Sequence, residues 1–254
     1  MDHWKNKAAI VTGAGQGIGA QITEDLIKAG MTVIGFEPTQ AKLTPLFNLA
    51  DKYSELNNQL IPCKCDISND NDLKNAFEGI VKLYGGVDLL VNNAAIGKAG
   101  MISTGNLEDL NNVIDVNIYG LIACSRHAID SMKNKGKGHI VNVNSICGHY
   151  MPSFSEPVMN VYIASKRSMT VFTKTLREEL KMINSKIKIT SVSPGIVKTG
   201  IFKSAGVGFI DDAFFCDNSH LTVKDVSEVI LMILSSPRTV NITEIIFRGL
   251  HSSF

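Results

Sequence analysis

The pair in this chain most suited to moving a proton is a phenol and an ammonium four residues apart, Tyr162 and Lys166. The stretch from Arg167 to Ile183 has helical periodicity, with Met169, Phe172, Leu176 and Leu180 three or four residues apart. Extending that helix back to Tyr162 places both groups on one face, about one turn apart. A free phenol, with a pKa of about 10, is a poor base at neutral pH. A positive charge about 4 Å away is worth roughly 1–4 kcal/mol at effective dielectrics of about 80 to 20, or about one to three pKa units. A tyrosine so tuned can take a proton from an alcohol or give one to a carbonyl. Alone, the pair equally describes a half-buried tyrosine beside a solvated lysine.

A second chemical motif lies near the start of the chain. The apolar run Ala8 to Thr12 leads into Gly13-Ala14-Gly15-Gln16-Gly17-Ile18-Gly19. A helical pattern with Ile22, Leu26 and Ile27 follows, then Gly30 and a second apolar run from Met31 to Phe36. Strand, glycine loop, helix and strand in this order are the dinucleotide-binding arrangement. The glycines let backbone approach a pyrophosphate, and the helix offers unpaired N–H groups. A plain glycine turn is the competing reading. The spacing, Gly-x-x-x-Gly-x-Gly, differs from the more familiar Gly-x-Gly-x-x-Gly. Glu37 ends the second strand, where an acid can bond ribose hydroxyls and repel a 2′-phosphate, or else is a solvated loop charge. Neither Pro38 nor Gln16 supplies a cation there, so NAD is expected over NADP; NADP stays open as the alternative if Lys42 reaches the 2′ position.

The intervening elements alternate. Residues 40–57 read as a helix, with Pro45 near its start or marking a break. Leu60 to Cys65 is a strand followed by Asp66 and Ile67, Asp70 to Tyr84 a helix, and Val87 to Val91 a strand opening into Asn92-Asn93-Ala94-Ala95. Those asparagines can tie backbone groups beside a cofactor or serve as ordinary turn residues. A long helical segment runs from about Leu107 to Met132. Inside it Asn117, a mediocre helix former, invites a structural or a water-binding explanation. Gly138 to Asn144 and Lys186 to Ser193 are strands, and Pro194 to Thr199 turns the chain away from the second of them. Residues 200–220 have no clear period, while a helix at about 223–235 and a strand from Ile242 to Phe247 complete the pattern. Short alternation of this kind, without repeats or a linker, predicts one α/β domain over 1–254.

Composition narrows the possible partners. A net charge of +1 without a long basic run argues against nucleic acid. No apolar stretch reaches the roughly 18 residues of a membrane span, and Met1 to Lys7 has no signal-peptide core. Cys63 and Cys65 share one strand face in poor disulfide geometry, and an odd total of five adds to the expectation of reduced thiols in a cytoplasmic protein. The histidines show no ligand spacing with cysteine, so no metal is expected.

Taken together, the motifs resemble the short-chain dehydrogenase/reductase family across nearly the whole chain. The residues carrying this are Thr12 to Gly19, Asp66, Asn92-Asn93-Ala94, Asn117, Ser145-x-x-Gly148, Tyr162-x-x-x-Lys166, and Pro194-Gly195 with Thr199, in the family's order. Ala95 stands where that family usually has glycine. Details around Gly148-His149 and the last strand are similar to an insect subgroup related to farnesol dehydrogenase.

The resemblance implies a doubly wound, Rossmann-type, seven-stranded parallel sheet with helices on both faces, and a homodimer or homotetramer packed through the two long helices. It implies that Tyr162 is the acid/base and that Lys166 lowers its pKa and holds the nicotinamide ribose. Ser145 would bond the substrate oxygen, and Asn117 would fix a relay water. Cofactor contacts would fall to Gly13, Gln16, Gly17, Ile18, Gly19, Glu37, Asp66, Ile67, Asn93, Ala94, Pro194, Gly195, Val197 and Thr199. The expected activity is hydride transfer between a nicotinamide cofactor and an alcohol or its carbonyl. A catalytically silent nucleotide-binding or redox-sensing protein is the alternative, opposed by the joint presence of Tyr162, Lys166, Ser145 and Asn117.

Following the Pro194–Thr199 turn, residues 200–220 should cover the nicotinamide end. Phe202, Phe209, Phe214 and Phe215 there, with Tyr150, Met151, Phe154 and Met159 opposite, predict an apolar pocket for an aliphatic or isoprenoid alcohol such as farnesol. Packing in the core or at a subunit interface is the competing role for these side chains.

Overall fold

The apolar runs become strands that are buried from both sides. In β1 (Ala8–Thr12) all five residues are buried, with Ala8 and Ile10 entering one core and Ala9 and Val11 the other. Such two-sided burial is what a parallel sheet sandwiched by helices requires. The computed structural model describes residues 1–56, 60–151 and 159–252. Its sheet comprises β1, β2 (Thr32–Glu37), β3 (Leu60–Lys64), β4 (Leu89–Asn92), β5 (Gly138–Val143), β6 (Ile187–Pro194) and β7 (Glu244–Phe247). All pairings are parallel, and the order is β3-β2-β1-β4-β5-β6-β7. Strand order reverses between β1 and β4, which opens a crevice at the carboxyl ends of the strands.

One face carries α1 (Gly17–Lys28), α2 (Gln40–Lys52) and α9 (Val223–Ser235). Ile22, Leu26 and Ile27 of α1 meet Val226, Ile230 and Ile233 of α9 in that core, and the Ser227 hydroxyl donates to Asp25 at 2.7 Å. The other face carries α3 (Asp70–Tyr84), α5 (Leu121–Lys135) and α6 (Asn160–Met182). There Leu73, Phe77, Ala128, Leu176 and Leu180 pack on Ile10, Leu90 and Ile140. Each of the larger side chains among these contributes about 1.5–3 kcal/mol by leaving water, so both faces hold the strand ends in place.

Three segments differ from the sequence expectation. The helix expected over 107–132 is α4 (Leu107–Ile114), a π-helical turn over Asp115–Gly120, then α5. The second helix runs through Pro45 and ends at Lys52, because the inward-facing Leu43 and Leu46 hold the turns on either side of the missing N–H. Residues 200–220 form two short helices, α7 (Ile201–Ala205) and α8 (Asp212–Asp217). No helix among the described residues is long and apolar enough to cross a membrane.

Candidate active site

Helix α6 brings Tyr162 and Lys166 to the carboxyl end of β5. Lys166 is 2% exposed, and its Nζ donates to the Val143 carbonyl at 2.8 Å while lying 5.6 Å from the centre of the Tyr162 ring. Burial lowers the lysine to about 8. The half-buried Tyr162 is pushed above the ordinary phenol range, chiefly by burial and then by Cys147, with a hydrogen bond to Ser145 acting the other way. Desolvation dominates at this phenol, against the lowering expected from the Tyr–Lys spacing, and the ammonium donates to the Val143 carbonyl. The resting phenol therefore keeps its proton.

Ser145 caps the 3-10 turn Ile146–Gly148 that follows β5, its Oγ accepting from the Cys147 N–H at 3.1 Å. This turn is pinned to α6. Asn144 Nδ2 donates to Thr170 Oγ1 at 2.9 Å, and that hydroxyl donates to the Gly148 carbonyl at 3.0 Å. Arg167 donates to the carbonyls of Gly148 and His149 at 3.0 and 2.8 Å. The turn carrying Ser145 is thus held against the helix carrying Tyr162, and a cavity of about 130 Å³ opens beside the two side chains.

Asn117 lies in the π turn and is 1% exposed. Its Oδ1 accepts from the Ile96 N–H at 2.9 Å, and its Nδ2 donates to the Ile96 carbonyl at 2.9 Å and to Ser165 Oγ at 3.0 Å. Ser165 Oγ in turn donates to the Tyr162 carbonyl at 2.7 Å. Both side-chain N–H groups of Asn117 are therefore used within the protein, which leaves this side chain a lone pair on Oδ1 to offer a water. Through Ser165 the side chain ties loop and π turn to the residue carrying the phenol.

The glycine loop lies across the β1/β4 crevice. Gly13 and Gly17 have φ of 66° and 54°, the left-handed region that favours glycine. A side chain on Gly19 would collide with the Gly13 carbonyl, its Cβ 2.0 Å away. Asn93 Nδ2 donates to the carbonyls of Thr12 and Gly13 at 3.0 and 3.1 Å, and the N–H groups of Asn93 and Ala94 both donate to Thr12 Oγ1 at 3.0 Å. Gln16 precedes α1 without a side-chain cap, which leaves the first N–H groups of that helix open to an anion. A dinucleotide pyrophosphate fits this cradle.

Glu37 is only 4% exposed, and its Oε1 accepts from the Gly15 N–H at 2.7 Å. Burial raises its pKa, opposed by that N–H and by Lys42. The carboxylate therefore supports the loop from beneath as well as standing at the end of β2. Asp66 accepts from the Ser68 N–H and hydroxyl at 2.9 and 2.6 Å, and Ile67 packs beside Gly120. Both sit after β3, apart from the residues around Tyr162. On the other side, Thr199 approaches Gly17, and Ile18, Pro194, Gly195, Val197 and Thr199 share the 130 Å³ cavity with Ser145 and Tyr162.

Apolar side chains form the remaining wall. Met159, Ile196, Ala205, Val207, Ile210 and Phe215 make a small separate core, with Tyr162, Phe202 and Phe214 packed against it. Met159 and Phe202 line the cavity, whereas Phe215 fills the cover and Phe209 is exposed. Tyr150 and Met151 are also exposed, so the wall expected from them is absent, and Phe154 lies outside the described residues. The sequence alone assigns no role to Thr12, Cys147, Ser165 or Thr170. A buried polar residue ending an apolar strand could have pointed to Thr12; the others become partners only when α6 meets the β5 turn.

Comparison with known proteins agrees with this fold. The profile of short chain dehydrogenases matches residues 7–207. Farnesol dehydrogenase of Aedes aegypti is 39% identical over 259 residues, covering 100% of both chains. The closed form of a serine dehydrogenase complexed with NADP+ superposes with a TM-score of 0.85 at 26% identity, over 97% of this chain and 96% of that one. A 3-ketoacyl-(acyl-carrier-protein) reductase from Brucella melitensis, complexed with NADH, gives 0.80 at 26% identity, over 96% and 98%.

Proposed function

This chain belongs to the short-chain dehydrogenase/reductase family, and we propose that it interconverts an apolar alcohol and its aldehyde or ketone, an isoprenoid alcohol such as farnesol being the leading case. The observation carrying this reading is the 130 Å³ cavity, which joins the Ser145 and Tyr162 hydroxyls to walls of Ile18, Met159, Ile196 and Phe202. A relative named farnesol dehydrogenase, matched over its full length, supports the same substrate class.

NAD(P), when bound, supplies the hydride carrier. Gly13, Gln16, Gly17, Ile18 and Gly19 would hold its pyrophosphate, with Asn93 and Ala94 keeping the loop in shape. Glu37, Asp66 and Ile67 would meet the adenosine end, and Pro194, Gly195, Val197 and Thr199 the carboxamide. Glu37 favours NAD. Lys166 would hold the nicotinamide ribose. In reduction the Tyr162 phenol donates its proton to the carbonyl oxygen while Ser145 donates a hydrogen bond to the same atom. In oxidation the phenolate takes that proton back, and a cationic Lys166 favours the phenolate. Asn117 acts through Ser165 on the position of Tyr162. We assign all of residues 1–254 to one domain and the protein to the cytoplasm, with assembly as a dimer or tetramer.

A series of primary alcohols tests the substrate class. Each methylene buried is worth about 0.8 kcal/mol, or nearly fourfold in kcat/KM while the cavity has room. Values that stay flat or fall between ethanol and octanol would overturn the apolar assignment.

A further inference from the structure

A second cavity, of about 430 Å³, lies at the opposite end of the strands from Tyr162. Its floor includes Gly138 and His139 at the start of β5 and Ile187 at the start of β6. Trp4 and the end of α9 close one side. The Trp4 indole donates to the Leu234 carbonyl at 2.8 Å, so its half-buried ring is held as a fixed apolar wall over the buried Ile187, Ile233 and Leu234.

Charge around this cavity is one-sided. Lys7, Lys137, Lys186, Lys188 and Arg238 line it against one carboxylate, Asp88. That carboxylate is already neutralised, accepting from the Ala8 N–H at 3.0 Å and pairing with Lys135 at 2.7 Å. Lys188 is fixed by the carbonyls of Pro237 and Val240 at 3.1 and 2.6 Å. Lys7, Lys137, Lys186 and Arg238 form no ion pair among the described residues. The positive field registers on two neighbouring imidazoles. Burial, then Lys188, lowers His139 to about 3, and burial, the N-terminal amine, Arg238 and Lys188 lower His3.

We propose that this cavity is a binding site for an amphipathic monocarboxylate, of the class of a medium-chain fatty acid. Its alkyl body lies on the Trp4 ring, and its carboxylate among Lys7, Lys137, Lys186 and Arg238. An inorganic anion would leave the apolar wall wet, and a neutral lipid would leave the cations unmatched. The volume falls within the roughly 300–1,000 Å³ of small-molecule sites. This site is independent of the proposed oxidoreduction.

Trp4 is the only tryptophan in the chain, so its emission reports occupancy of this cavity and not of the one beside Tyr162. Decanoate is titrated into the full chain below its aggregation threshold, with 1-decanol as the uncharged counterpart. Arg238→Glu and Lys137→Glu reverse exposed charges, and both proteins should unfold in urea near the parent midpoint. The expected result is a saturable change in Trp4 emission with decanoate. Affinity should weaken about tenfold or more with 1-decanol, and by a similar factor in each reversed variant. Absence of a saturable change, equal affinity for 1-decanol, or undiminished affinity in both variants would overturn the proposal.

Discussion

Glu37→Gln isolates charge from support at the glycine loop. In the parent the carboxylate is 4% exposed and accepts the Gly15 N–H at 2.7 Å. Glutamine keeps an oxygen for that donor, so the loop loses only the difference between a charged and a neutral acceptor, about 1 kcal/mol. A 2′-phosphate, by contrast, gains relief from repulsion. One pair of like charges about 4 Å apart is worth roughly 1 kcal/mol at a dielectric of 80 and roughly 4 at 20, or about fivefold to a thousandfold in relative affinity. Because Glu37 is buried, a gain for NADP toward the middle of that range is expected. Burial also raises this carboxyl's pKa, so its neutral form sets in at higher pH than for an exposed glutamate. Discrimination against NADP should therefore weaken on acidification in the parent and stay level in the variant. The assay compares kcat/KM for NAD and NADP with one alcohol at several pH values. Glu37→Ala serves as the contrast: it orphans the Gly15 N–H at a cost of about 1–3 kcal/mol and should weaken both nucleotides together. An unchanged NAD/NADP ratio in Glu37→Gln would refute the reasoning.

Three further outcomes are expected. Tyr162→Phe should lower turnover by about 10²–10⁴ with nucleotide binding nearly intact, and a variant keeping more than about a tenth of the rate would remove Tyr162 from its role. Asn117→Ala orphans the Ile96 N–H and carbonyl, so urea unfolding should show a loss of about 1–3 kcal/mol for each group, and an unshifted midpoint would contradict the buried network. The folded pKa of Lys166 is depressed from 10.5 to about 8, so at this group the unfolded chain holds more protons between those values and the Lys166 contribution to stability should rise with pH across that window by up to roughly 3 kcal/mol, against the opposite contribution of the buried Cys65 and Cys124 thiols. Lys166→Met should remove that contribution and make the slope of stability against pH more negative than in the parent, and an identical slope in both proteins would argue against a buried ammonium.

What was legible in the sequence was whatever repeats within a few residues. The apolar runs ending at Thr12 and Glu37, the glycine loop between them, and the Tyr162–Lys166 helix all announce themselves through a local period. The π turn does not, because one added residue in a helix leaves the pattern around Asn117 readable as a continuous helix. Helices of five and six residues, α7 and α8, are too short to show a period. Hence Phe202, on the cavity, and Phe209, exposed, looked equivalent in the sequence. The burial that raises Tyr162 is invisible in the sequence for a related reason. Spacing along a helix fixes the distance from phenol to ammonium but says nothing of the enclosure contributed by the β5 turn and the α7 cover, and enclosure decides the sign. Ser145 needed a family resemblance to be singled out, since nothing local separates it from other serines. The cavity at the opposite end lay beyond any such reading, because Trp4, Lys137, Lys188 and Arg238 meet only where the starts of β5 and β6 converge with the end of α9. A chemical motif contiguous in sequence can be read before folding. A site assembled from the ends of several strands has no address until the sheet supplies one.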